Sequence, residues 1–171
     1  GKKWEERFPF RRMRSSMEEK QWNILTLSKQ PERIEAAAAW FHEKWNIPQQ
    51  VYRESMEQSK EYPKKIPQWY IAVGQDGRIL GGLGVIENDF HKRQDLRPNI
   101  CAVYVEKAWR GQGMARALLA YACTALAEMG EKEVFLLTDH VGFYEACGWE
   151  FWCMAEELNG GRARVYRKAL K

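Results

Sequence analysis

The stretch that most limits how this chain can fold runs from Asn99 to Leu137. NICAVYV (Asn99–Val105) is an almost unbroken apolar run, as expected of a strand buried on both faces. Beyond a loop, Met114, Ala117, Leu118, Tyr121, Ala122, Ala125, Leu126 and Met129 recur at intervals of three and four. That spacing predicts an amphipathic helix, with Gly130 as its stop. EVFLL (Glu133–Leu137) is a second buried strand. Strand, helix and strand in that order form a β-α-β unit, which makes the two strands parallel.

The rest of the chain supplies antiparallel pieces. WNILTL (Trp22–Leu27) reads as a first strand. Pro31 opens a helix that Pro48 ends, and a more polar helix follows over Gln49–Tyr62. QWYIAV (Gln68–Val73), the turn GQDG (Gly74–Gly77) and RILGGLGVI (Arg78–Ile86) form a hairpin. The three glycines of its second strand imply that something packs close to that backbone. Glu87–Pro98 reads as a polar loop, Val141–Gly148 as a short helix, and WEFWCMA and RARVYRKAL as closing strands. The fold class is therefore α/β in the mixed α+β sense, one domain over residues 21–171 preceded by a basic arm, residues 1–20.

The 171 residues suit one core, and no run of eighteen apolar residues is present, so the chain lacks a membrane-spanning helix. No secretory signal and no C-x-x-C pair accompany Cys101, Cys123, Cys147 and Cys153, which points to a reducing cytoplasm without a metal site. The formal charge of +4 is uneven. Basic groups crowd into residues 1–14 and 162–171, and the body between is net acidic. A basic arm is a nucleic-acid signal, but a solvated tail is the simpler reading, and an acidic body suits an amine better than a polyanion.

EKAWRGQGMAR (Glu106–Arg116) joins the first buried strand to the long helix. Gly111 and Gly113 allow successive N–H groups to point outward at a helix N-terminus, a ready site for phosphate. Arg110 and Arg116 flank it. The loop lacks the Gly-Lys-Ser/Thr of a Walker A motif. It departs from G-x-G-x-x-G too, because Arg116 stands at the third glycine; Asp139, after the next strand, is the one residue that keeps a dinucleotide site in play.

Arg110-Gly111-Gln112-Gly113-Met114-Ala115 resembles the R/Q-x-x-G-x-G/A pyrophosphate loop of the GNAT superfamily of acyl-CoA-dependent N-acyltransferases. Phe143-Tyr144-Glu145-Ala146-Cys147-Gly148-Trp149 resembles that family's second signature, a tyrosine four residues before a Gly-aromatic pair. The likeness spans roughly Trp22–Leu170. It implies a mostly antiparallel central sheet with one splayed parallel pair, helices on both faces, and acetyl-CoA entering the splay. It further implies that the backbone of Val103, Tyr104 and Val105 pairs with the pantetheine arm and the acetyl carbonyl. Arg110 to Arg116 would hold the pyrophosphate, and Tyr144 would protonate the departing thiolate. An asparagine common seven positions before that tyrosine is replaced here by Leu137.

The acceptor amine must lose a proton before it attacks. Glu87, Asp89, His91 and Asp95 follow the hairpin, and Asp139 and His140 lie near the cofactor helix; we choose Asp89 as the base. Trp40, Trp45, Tyr52 and Trp69 offer aromatic walls, and Glu54, Glu57 and Glu61 share one helix face. An entrance lined by these carboxylates would favour polyamine-like or aminoglycoside-like acceptors and weaken with salt. The expected activity is acetyl transfer from acetyl-CoA to a small cationic amine, with no metal. Acetylation of a protein or peptide amine and a non-catalytic acyl-CoA sensor are the alternatives. The acceptor's identity, the acyl length and a homodimer stay open.

Overall fold

A computed structural model describes residues 21–171; the arm expected over residues 1–20 lies outside the described residues. The elements run β1 (Trp22–Thr26), α1 (Ile34–Trp45), α2 (Gln49–Glu61), β2 (Gln68–Gly74), β3 (Ile79–Ile86), β4 (Asn99–Val105), α3 (Met114–Glu128), β5 (Glu133–Thr138), α4 (Phe143–Ala146), β6 (Glu150–Glu156) and β7 (Arg162–Ala169). Seven strands form one sheet in the order β1-β2-β3-β4-β5-β7-β6. Every pairing is antiparallel except β4 with β5.

Both faces of the sheet are covered, and β2 shows why. Its residues alternate between two cores. Tyr70 and Ala72 join Met114, Leu118, Ala122 and Leu126 of α3, whereas Trp69, Ile71 and Val73 join Phe41 of α1 and Tyr52 and Met56 of α2. Pro31 starts a single 3-10 turn, Pro31–Arg33, that leads into α1. Asn46 in the left-handed region (φ 53°) ends α1 ahead of Pro48.

The glycines of β3 are where the two cores press hardest. A Cβ on Gly82 would sit 2.8 Å from Phe41 Cζ, one on Gly81 2.9 Å from Met114 Sδ, and one on Gly84 2.6 Å from Trp69 Cε3. The Trp69 ring has no room to retreat: it packs on Phe41 and Tyr52, and its Nε1 donates to Ser55 Oγ at 2.8 Å. Gly84→Ala is therefore expected to destabilise the fold by about 1–3 kcal/mol, as overpacking does, read as a lower denaturation midpoint at unchanged slope.

The segment 87–98, expected as a polar loop, is instead partly interior. His91 is 1% exposed and Leu96 is buried. His91 pairs with Glu157 as an isolated bridge, Lys92 N–H donates to Glu156 O, and Leu158 N–H donates to Phe90 O. The hydrogen bonds made there hold the chain against the β6–β7 hairpin, information that composition does not carry. Among the described residues no helix is long and apolar enough to cross a membrane.

Candidate active site

β4 carries the feature around which the site is built. It pairs with β5 only at Asn99↔Phe135 and Ile100↔Leu136. On its other side, Gly84 faces Cys101 and Gly82 faces Tyr104, so β4 holds one residue more than β3 over that interval. The excess is a bulge. Ala102 adopts φ 54°, and Ala102 and Val103 have no partner in either neighbouring strand's register. The parallel strands therefore part just where a cavity of about 250 Å³ begins. Ala102, Val103, Leu137, Thr138 and Tyr144 line it together with Asp89 and the aromatic residues Trp45 of α1, Tyr52 of α2 and Trp69 of β2.

The glycine loop lies at the end of β4. Gly111 and Gly113 take φ values of 78° and 83°, and a Cβ on either would meet nothing within 4 Å. Gly113 is the N-cap of α3 with no side-chain cap. The first helical bond runs from Ala117 N–H to Gly113 O, so the N–H groups of the first turn before it have no partner inside the helix. Open space fronted by these donors and the positive end of a fifteen-residue helix suits an anionic diphosphate. The Met114 side chain is buried against β3 and leaves only its backbone for a ligand at this loop.

Each of the two arginines expected at the pyrophosphate makes one hydrogen bond to a carbonyl of the protein itself. Arg110 Nε donates to Val105 O at 2.9 Å, and its guanidinium lies 5.2 Å from the Tyr104 ring centre. Arg116 Nη1 donates to Ala146 O at 3.1 Å. It thereby straps the start of α3 to the end of α4, the helix that bears Tyr144. Its place in the first turn has an explanation that needs no phosphate.

Tyr144 is 6% exposed, stacked at a tilt on Tyr166 and edge-on to Trp149. Burial pushes its phenol up to about 12, with Cys147 adding to the shift. Asp89 is pushed up to about 6, chiefly by burial and further by Glu157. Its loop is pinned on both sides: Asn88 Oδ1 accepts from His91 N–H at 3.2 Å, and His91 Nε2 meets Asn99 Oδ1 at 2.8 Å. Asn99 Nδ2 donates in turn to the carbonyls of Glu87 and Leu96, which orients its Oδ1 as acceptor. His91 Nε2 is thus the protonated nitrogen, and Nδ1 accepts from Arg93 N–H at 3.2 Å. His91, weighed as a base on sequence, is a buried support for the loop of Asp89.

The expected carboxylate-lined entrance is not assembled. Of the acidic groups expected there, Asp89 alone lines the cavity. Glu54, Glu57 and Glu61 border a separate surface depression with Arg53 and Lys60. Glu87 pairs with Arg97 at 3.2 Å and Asp95 with Arg93 at 2.8 Å. Helical spacing put the α2 glutamates on one face correctly, but that face is solvated; Tyr52 and Met56 hold the buried one. Asp139 is exposed and off the cavity, whereas His140 lines it. Sequence reasoning missed Ser55, Phe90, Cys101 and Ala102 as lining residues. Ser55 had a signal, three positions after Tyr52 on one helix; Ala102 had none.

The model of the acetyltransferase (GNAT) family matches residues 31–149. The chain belongs to this family, whose activity is acetyl-CoA-dependent acetyl transfer. No curated protein matches the sequence significantly. Among solved structures, the fold is similar to an aminoglycoside 6′-N-acetyltransferase complexed with coenzyme A (TM-score 0.65, 16% identity, 86% of this chain and 96% of that one). It is similar to the NatC complex bound to Gag peptide and CoA (0.66, 22%, 88% and 99%). It is similar too to an N-acetyltransferase from Staphylococcus aureus Mu50 (0.64, 13%, 87% and 99%). Among the described residues no group of three or more His, Cys, Asp or Glu is placed to hold a metal ion.

Proposed function

We propose that this chain acetylates a primary amine of a small cationic molecule by direct attack in a ternary complex with acetyl-CoA. One observation carries the reading: the gap opened by the β4 bulge runs into the same cavity that holds Asp89 and Tyr144. The N–H groups around Gly111, Gln112, Gly113, Met114 and Ala115 would hold the pyrophosphate. The thioester would then lie in the gap along Val103, Tyr104 and Val105, where a backbone N–H can polarise its carbonyl.

The acceptor enters as an ammonium. Asp89 takes one proton, and the freed nitrogen forms the C–N bond. A second nitrogen proton passes to water as the tetrahedral intermediate collapses and the C–S bond breaks. The thiolate leaves against the Tyr144 hydroxyl. A phenol near 12 holds its proton more tightly than a thiol, whose reference value is about 8.5. Tyr144 therefore donates a hydrogen bond to the departing sulfur, and the thiol's proton comes from solvent. Asp89 returns its proton to water.

Thiol release from acetyl-CoA across a panel of amines tests this reading, with Tyr144→Phe alongside. A hydrogen bond to a charged group is worth about 1.5–3 kcal/mol, so kcat should fall by about 10–10²-fold with CoA binding preserved. Equal turnover by Tyr144→Phe would reduce Tyr144 to a packing residue, and release with no amine would count against transfer.

A further inference from the structure

Tyr144 sits on α4, a helix of only four residues, Phe143–Ala146. A single turn fixes many dihedral angles for few hydrogen bonds and does not hold itself together in water. Yet the Tyr144 hydroxyl has to meet a departing sulfur, and a misplacement of about 1 Å at a reacting centre costs as much as about 10²-fold in rate. The orientation of Tyr144 must therefore come from bonds that tie α4 to the rest of the fold. Arg116 supplies one at the last residue of the helix, through Ala146 O. At the first residue the chain enters α4 through Gly142, whose φ of 96° is open to glycine and strained for other residues.

Glu145 ties that first turn down at two points. Its Oε1 accepts from Gly142 N–H at 2.8 Å, which satisfies a donor that the short helix cannot satisfy itself. Its Oε2 accepts from Tyr166 Oη at 2.8 Å. Tyr166 is 0% exposed and belongs to β7, where Leu136 of β5 faces it on one side and Phe151 of β6 on the other. Its ring centre lies 5.8 Å from that of Tyr144, with the two planes 34° apart. One carboxylate thus joins the start of α4 to the strand whose ring supports Tyr144. The bond from its own backbone N–H and that from the Tyr166 hydroxyl hold the Glu145 carboxyl below its usual range. Burial and the Glu145 charge raise the Tyr166 phenol. At neutral pH the phenol therefore donates and the carboxylate accepts. Glu145 itself is exposed and off the cavity.

Resting on the acetyl-transfer reading above, we propose that Glu145 is a positioning residue for the reaction. It touches neither the thioester nor the amine, and it acts on catalysis through Tyr144 alone, by fixing α4 against Tyr166 so that the Tyr144 hydroxyl meets the departing sulfur.

A double-mutant cycle on the full chain distinguishes action through Tyr144 from a loss spread over the fold. Thiol release from acetyl-CoA is measured with the best amine of the panel. Glu145→Ala should lower kcat by about tenfold, less than a complete misplacement would. Its KM for acetyl-CoA should stay within about twofold of the parent, since no binding group is removed. In the Tyr144→Phe background the same change should lower kcat no further, because the hydroxyl it positions is already gone. Glu145→Gln should restore most of the rate: an amide accepts from Gly142 N–H and donates to Tyr166 Oη. Tyr166→Phe, which removes only the bond to β7, should show a smaller loss with the same non-additivity. Hydrogen exchange of the ligand-free chain reads the tie without turnover. The amides of Ala146 and Cys147, bonded to Gly142 O and Phe143 O, should exchange faster in Glu145→Ala and at the parent rate in Glu145→Gln. Unchanged kcat in Glu145→Ala would overturn the proposal. So would an equal fall in both backgrounds, or unchanged exchange in α4. A parent that turns over amines while the losses add would sink the role of Glu145 alone, whereas a parent that releases no thiol with any amine would sink the acetyl-transfer reading and this role with it.

Discussion

Asp89→Asn is expected to lower kcat by about 10²–10⁴-fold, the range for loss of a general base, and at the same time to make the protein more stable at pH 7.5. The two effects share a cause. Asp89 faces apolar cavity wall, with the Tyr52 phenol, the Cys101 thiol and the charge of Glu157 near it and no cation paired to it among the described residues. Folding therefore favours its protonated form and moves it from about 3.8 to about 6. For a carboxyl shifted upward, the favourable contribution is complete below the unfolded value and is lost as pH rises through the folded one. Above pH 6 the wild type carries a buried charge that the amide variant does not. The gain in melting temperature should be full at pH 7.5, shrink toward pH 4.5 and vanish below about 3.8. The kcat/KM profile of the wild type should show a rising limb near 6 that Asp89→Asn lacks. A rise in KM alone, with kcat intact, would mean that Asp89 attracts the acceptor without taking its proton.

Gly113→Val should remove CoA binding. Gly113 sits at φ 83°, a region that a β-branched residue occupies only with strain, and a Cβ there would occupy the open space beside the first-turn N–H groups of α3. A ligand at a hundredfold excess over Kd stabilises a protein by about 2.7 kcal/mol, so CoA and acetyl-CoA should raise the wild-type melting temperature by several degrees. In Gly113→Val that rise should vanish, with only a modest fall in the ligand-free value. NAD and ATP should move neither protein. A preserved shift in the variant would place the diphosphate elsewhere.

Much of the frame was legible because it rests on periodicity. The apolar run of β4, the three-four spacing of α3 and the glycine-bearing hairpin each fold as local pattern requires, and Gly81, Gly82 and Gly84 do face close neighbours. The splay of β4 from β5 came from family likeness; nothing in NICAVYV announces that Ala102 turns to positive φ. Charge was the least reliable guide. Glu54, Glu57 and Glu61 share a face as their spacing says, yet spacing does not tell which face looks into a cavity. A cation in the first turn of α3 opposes the helix dipole and so suggests a phosphate, whereas the bond from Arg116 to Ala146 O is visible only in the tertiary fold. His91 and Asp89 lie two residues apart in one loop, and only the Asn99 network separates a support from a site residue.

The hydrogen bond from Trp45 Nε1 to Ala102 O, 3.2 Å long, has a bearing on how the family's chemistry can be retargeted. Nearly everything that lines the acceptor wall comes from the chain before β4, and the glycine loop and Tyr144 come after it. Amino-acid changes in α1 and α2 can thus redraw the acceptor's outline while the thioester half stays intact. Trp45 is the exception, since it is at once wall and tether of the bulge residue. Variation there would touch both halves together, which makes it the position at which altered acceptor choice is hardest to separate from lost catalysis.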